Sequence, residues 1–161
     1  MKTRIFTLFT CLLLAGQICN AAHHASKKVS CADAIIGHYF ATQEALAADD
    51  LDTTKVAAKA LSAAQEDSPC AKEIGEATKA IVKAADIDAA RVAFKTLSDA
   101  VIPLVEAEGV NSSQAHLVHC SMAFEFSGAS WLQKDKSVAN PYFGSQMFAC
   151  GSVEQSFGEE K

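Results

Sequence analysis

Ser30-Cys-Ala-Asp-Ala-Ile-Ile-Gly-His-Tyr-Phe-Ala-Thr-Gln-Glu-Ala-Leu46 sets Ile36, Tyr39 and Phe40 at three- and four-residue steps, and Leu46 extends the stripe. That is the period of an α-helix, in a stretch where alanine lowers the cost of helix formation. Ser30 offers a capping hydroxyl, with Asp33 three residues on to reach back to it. Asp49-Asp50 ends this first helix. A second begins near Asp52-Thr53-Thr54, with Val56, Ala60, Leu61 and Ala64 as its inward face.

The same pattern continues to Glu108. Ser68-Pro69 restarts the chain with a cap and a proline at the first helical position; Ile74, Ala77, Ile81 and Val82 form the apolar face of a third helix. A fourth opens at Asp86-Ile87-Asp88, buries Phe94, Leu97, Val101 and Leu104, and stops at Gly109, with Pro103 expected to kink its last turn. The expected fold is mainly α: an up-down-up-down four-helix bundle over residues 31–109, with an irregular, aromatic-rich tail over 110–161 completing one domain. Glu44, Asp49, Asp50, Glu66, Asp67, Glu73 and Glu76 read as solvated helix surface.

Upstream, Met1-Lys-Thr-Arg4 is basic, Ile5 to Cys19 is nearly all apolar, and Ala21-Ala22 follow. This is the order of a cleaved secretory signal over residues 1–21, too short in its apolar part for a spanning helix. A polar leader, 22–30, follows it. The expected location is periplasmic or secreted, with no membrane insertion after cleavage. Without Lys2 and Arg4, 12 basic residues face 19 acidic ones, a formal charge of −7. Nucleic acids and anionic membranes are poor partners for such a chain.

Cys31, Cys70, Cys120 and Cys150 remain in a compartment where disulfides persist, and four cysteines allow three full pairings. Cys31 and Cys70 begin the first and third helices, at one end of an alternating bundle, and are the favoured structural disulfide. The two methionines outside the signal each lie beside a cysteine, in Cys120-Ser-Met122 and Met147-Phe-Ala-Cys150. Thiolate and thioether sulfurs are soft donors that suit Cu(I) better than Mg²⁺, Ca²⁺ or a water-activating Zn²⁺. The competing reading makes Met122 and Met147 gap-fillers, with the cysteines as a disulfide or as small apolar groups. In the tail, Ala115-His-Leu-Val-His119 reads as a short strand or extended segment, Asn140-Pro141 as a defined bend, and Gln146 to Cys150 as one helical turn. Trp131, Tyr142 and Phe143 read chiefly as packing residues.

His119-Cys-Ser-Met-Ala-Phe-Glu-Phe-Ser-Gly-Ala-Ser-Trp-Leu-Gln133, followed by Val138-Ala-Asn-Pro-Tyr-Phe-Gly-Ser-Gln-Met-Phe-Ala-Cys-Gly151, resembles a bacterial domain family of undefined function. Its members read Cys-Pro-Met-Ala, Gly-x-x-Trp-Leu, Asn-Pro-Tyr-Phe/Tyr-Gly and Met-x-x-Cys-Gly, and are exported alone or fused to periplasmic adaptors of copper and silver efflux pumps. The resemblance reaches upstream to Phe94-Lys-Thr-Leu-Ser-Asp-Ala100. It implies a helical domain that handles heavy metals, with Cys120, Met122, Met147 and Cys150 as ligands and an efflux adaptor or metallochaperone as partner. Ser121 stands where the family has proline, which frees an N–H and relaxes the turn; His119 is a further nitrogen donor.

His23-His24 form a separate candidate. Cleavage after Ala21 would put His24 third behind a free amine, a donor set suited to Cu(II) or Ni(II). No phosphate loop, serine elbow or paired catalytic carboxylates appear, and the chain is not expected to be an enzyme. The alternative to metal binding is a helical protein–protein module stapled by a Cys120–Cys150 disulfide.

Overall fold

The computed structural model describes residues 30–65 and 71–158. The segment expected to be a signal, His23 and His24 of the expected leader, the expected Ser68-Pro69 restart and Cys70 lie outside the described residues. Four helices come first: α1 (Cys31–Ala47), α2 (Leu51–Ala64), α3 (Ala71–Lys83) and α4 (Ile87–Glu108). Each packs on the next, and α4 closes back on α1. Among the described residues no helix is long and apolar enough to cross a membrane.

Side-chain oxygens start three of these helices. Ser30 Oγ accepts from the Asp33 amide, Asp50 from Thr53 and Asp86 from Ala89, each satisfying an otherwise orphaned N–H. Gly109, at φ 69°, ends α4. Asp33 does not reach back as expected. Its carboxylate accepts instead from the Asn111 amide (2.7 Å), the Ser112 amide (2.9 Å) and both of their side chains, joining the start of α1 to the chain leaving α4. Burial pulls this carboxyl upward, but the hydrogen bonds from Asn111 and Ser112 outweigh it and hold the group well below the usual carboxylate range.

The inward stripe of α1 is as expected, with Ile36, Tyr39, Phe40 and Leu46 buried. On α2 the face is turned. Thr54, Ala57, Ala58 and Leu61 face inward, while Val56 is 66 % exposed. An alanine-rich helix offers apolar atoms on most sides, so composition does not choose the face. Thr54 is tolerated inside because its hydroxyl donates to the Asp50 carbonyl at 2.6 Å. α4 runs on through Pro103 to Glu108 as one helix.

Where the sequence predicts an irregular tail, the structure has a small sheet joined by loops. The tail forms a three-stranded antiparallel sheet of β1 (Ala115–Cys120), β2 (Ala129–Gln133) and β3 (Ser152–Phe157), in the order β2-β1-β3. β2 packs against α4 and α1. Its Leu132 amide donates at 3.1 Å to the Tyr39 hydroxyl, which also bonds the Ser98 hydroxyl at 2.7 Å. A tyrosine on α1 thus satisfies the strand edge that the helices bury. Tyr39, Phe94, Tyr142 and Trp131 continue as a run of tilted and edge-on rings joining helices to sheet.

Candidate functional site

Cys120 is the last residue of β1, and Cys150 ends the loop that leads into β3. Thirty residues apart in sequence, their Sγ atoms lie 2.9 Å from each other. They are the free thiols among the described residues. Cys120 is 1 % exposed, and Cys150 is half-buried. The separation exceeds the roughly 2.05 Å of a disulfide. It falls short of the roughly 3.8 Å between two thiolates that share one ion at about 2.3 Å each. The thiols can therefore oxidise with a small movement, or open by about 1 Å to take an ion between them. The hydrogen bond with Cys120, then burial, then the neighbouring sulfur's charge push the Cys150 thiol up to about 11. At neutral pH it holds its proton.

β1 fixes Cys120, whose register partner is Ala129 on β2. Cys150 lies two residues before the pairing of Ser152 with His119 of β1, and Asn140, which is fully buried, holds it as well. The Asn140 amide donates to the Phe148 carbonyl and its side-chain Nδ2 to the Cys150 carbonyl, both at 2.7 Å. Its Oδ1 accepts from the Tyr142 and Phe143 amides at 2.8 and 3.1 Å, which shapes the turn after Pro141. The turn is anchored in its own right. The buried Arg91 of α4 donates through Nε to the Pro141 carbonyl at 3.1 Å and pairs with Asp88 and Asp49. Asp49 also accepts from the Ser145 amide at 3.0 Å; the Ser145 side chain, then this amide bond, then Arg91 hold its carboxyl below the usual range against the pull of burial. Asp49 had been expected to be plain solvated surface; it is part of the anchor. Gly151, at φ 143°, lies where a Cβ would press on the Trp131 ring, so the chain beyond Cys150 can lie close to that ring only as glycine.

The two methionines flank this pair in the chain. Met122 sits in the turn after β1 and is 38 % exposed. Met147 is half-buried, and its carbonyl accepts from the Cys150 amide at 3.0 Å, closing a turn over 147–150. The helical residues sit just upstream, as a 3₁₀ turn at Gly144–Gln146. His119 is held apart. Successive strand residues point to opposite faces, and its Nδ1 is bonded to the Ser130 hydroxyl at 3.0 Å. Trp131 is fully buried with its N–H on Gln133 Oε1, a packing role. His38 is exposed. Among the described residues no three His, Cys, Asp or Glu side chains converge as a metal-ligating group.

Cys31 is buried at the start of α1; its expected partner, Cys70, falls outside the described residues. The residues that sequence reasoning missed are Asn140, Arg91 and Asp49. A signal for Arg91 was present: a lone arginine in the alanine-rich start of α4.

Residues 35–113 match a family model described as "Protein of unknown function (DUF3347)". The match covers most of the helical region and ends before β1, so the four tail sulfurs lie beyond it. No curated protein and no solved structure matches the chain. The helical region is thus similar to an uncharacterised family.

Proposed function

We propose that this protein is exported and holds a soft monovalent ion, Cu(I) or Ag(I), between the Cys120 and Cys150 thiolates. The Met122 and Met147 thioethers complete the donor set. The observation that carries the reading is the pair itself: two free thiols, from a strand end and a distant loop, at 2.9 Å. Two thiolates and neutral thioethers match a soft ion's preferences, and the partly exposed Cys150 side leaves a route to solvent. In this reading the four helices form an up-down-up-down bundle, with a Cys31–Cys70 disulfide at one end, and serve as a rigid base. The protein's place is in heavy-metal handling beside a periplasmic efflux adaptor or metallochaperone. It performs no catalysis. His23 and His24 would add a separate Cu(II) or Ni(II) site, which N-terminal sequencing of the exported protein tests first.

Metal uptake must displace both thiol protons, and that of Cys150 is held up to about 11. Affinity should therefore strengthen as pH rises from 6 to 9. In an anaerobic competition titration, Cys120→Ser/Cys150→Ser protein should bind Cu(I) more than about a hundredfold less tightly. Unchanged affinity in that variant removes the proposal.

The same separation carries a second reading. At 2.9 Å the sulfurs lie no farther from a disulfide than from an ion-bridged pair. In that reading the bond closes the tail and the protein is a helical interaction module without a metal. Thiol counting on unreduced, freshly exported protein separates the two: titratable Cys120 and Cys150 support the ion site, and their absence supports the staple.

A further inference from the structure

We propose that Asn140 is the positioning residue of the thiol pair, its side-chain amide setting how closely Cys150 approaches Cys120. The inference rests on the reading that this pair is the functional group of the protein.

Cys120 needs no such device, because the β1–β2 ladder holds it to the end of the strand. Cys150 sits outside any strand, at the end of the turn closed by Met147. That turn runs on into β3, whose Ser152 pairs with His119 of β1, and on its other side Asn140 holds it through two bonds of 2.7 Å, one from its backbone to Phe148 and one from its side chain to Cys150. Both ends of the side-chain amide are engaged, because Oδ1 takes two amides of the Pro141 turn while Nδ2 donates to Cys150. A fully buried amide committed in this way holds one orientation, since turning it over would face donors with donors and strand the Cys150 carbonyl. Behind Asn140, Arg91 grips Pro141 and Asp49 grips Ser145, so the clamp is referred to α4 and to the α1–α2 turn. The shape of an Asn side chain fits both tasks. Aspartate keeps the acceptor for Tyr142 and Phe143 but sets a carboxylate oxygen against the Cys150 carbonyl. Serine keeps an acceptor for the turn but is too short to reach Cys150.

The test reads the thiols without any metal. Equilibration with glutathione follows a balanced exchange: Cys120–SH and Cys150–SH plus one glutathione disulfide give the Cys120–Cys150 disulfide plus two glutathione thiols. At pH 7.5, Asn140→Asp and Asn140→Ser should each lower this equilibrium constant by about tenfold, the loss of one buried hydrogen bond. Tyr142→Phe, which removes the hydroxyl that bonds the Ser130 carbonyl but keeps the backbone amide that Asn140 Oδ1 accepts, should leave the exchange constant in place. In the unmodified protein, the Asn140 side-chain amide resonances should shift when the pair is oxidised, an arm that needs no variant to fold. An unchanged exchange constant in a folded variant, or unmoved Asn140 resonances on oxidation, overturns the proposal. If the pair binds no ion, both readings are unaffected, so the fate of the metal site is decided separately.

Discussion

Gly144 shows how a single position can decide whether the site is assembled. It has a left-handed backbone, at φ 56°, and a Cβ there would run into the Asp49 carboxylate and the Arg91 guanidinium. Those two groups anchor the turn that carries Asn140, so any side chain must push the anchor apart. Gly144→Ala should destabilise the protein by about 2–4 kcal/mol, an overpacking cost of 1–3 kcal/mol plus about 1 kcal/mol for left-handed alanine. Urea unfolding measures it, and a loss below about 0.5 kcal/mol would mean that the turn can move freely. At this scale the sequence was partly legible. Cys120, Cys150, Met122 and Met147 stood out by element type, because sulfur chemistry is local to the residue. Asn140 was read only as a residue before proline. Its clamp is a long-range fact, made by where Cys150 returns, and no spacing encodes it. Asp49 was hidden for the same reason: its partners, Arg91 and Ser145, lie 42 and 96 residues away.

Among the elements, helices were easier to find than strands. Caps at Ser30 and Asp86 and the stop at Gly109 are written in neighbouring residues, and the structure uses all three. The inward face of α2 was misplaced because alanine gives periodicity little contrast. β1 was visible as an extended segment, but β2 is only five residues long, and β3 is exposed along nearly its whole length. With no buried alternate residues, β3 carries no period-two pattern to read. The turn from β1 to β2 was equally hidden. Phe124, Glu125 and Phe126 all have positive φ, at 51°, 56° and 66°, a run that L-residues adopt at a cost of about 1–2 kcal/mol each. This left-handed run, which begins two residues beyond Met122, lies in the connection between β1 and β2 and is held there by the surrounding structure. Glu125 is exposed, so replacing it removes no core contact. Glu125→Gly should stabilise the protein by about 0.5–1 kcal/mol, the relief of left-handed strain less the entropy glycine adds to the unfolded chain. A destabilised variant in thermal or urea unfolding would show that the Glu125 side chain, not the backbone, holds the turn.

For the molecule as a whole, the question is what keeps a helical half and a sheet half in one fixed relation, since the thiol pair draws its two members from a strand and from a loop anchored on α4. Part of the answer is apolar and insensitive to pH: Tyr39, Phe94, Tyr142 and Trp131 bridge the halves with rings. Another part is ionic, at Asp33, where α1 grips Asn111 and Ser112 just before β1. The folded carboxyl titrates below its unfolded value of about 3.9. The sign follows from that lowering. The stabilisation is complete above the unfolded value, declines as pH falls below about 4, and disappears below the folded value. Asp33→Asn presents one acceptor oxygen where the carboxylate has two, so it cannot reproduce the bonds to Asn111 and Ser112. Because the site is partly solvated, the loss at pH 7 should be about 1 kcal/mol, near the low end for charged hydrogen bonds. Urea midpoints at pH 7, 4 and 2.5 check this. Wild type and variant should differ most at pH 7 and draw together at pH 2.5, with no change in the slope of the transition. A gap that stays constant with pH would mean that the asparagine disturbs packing rather than charge. A gap that widens in acid would reverse the sign and place the stabilising form of Asp33 in its protonated state.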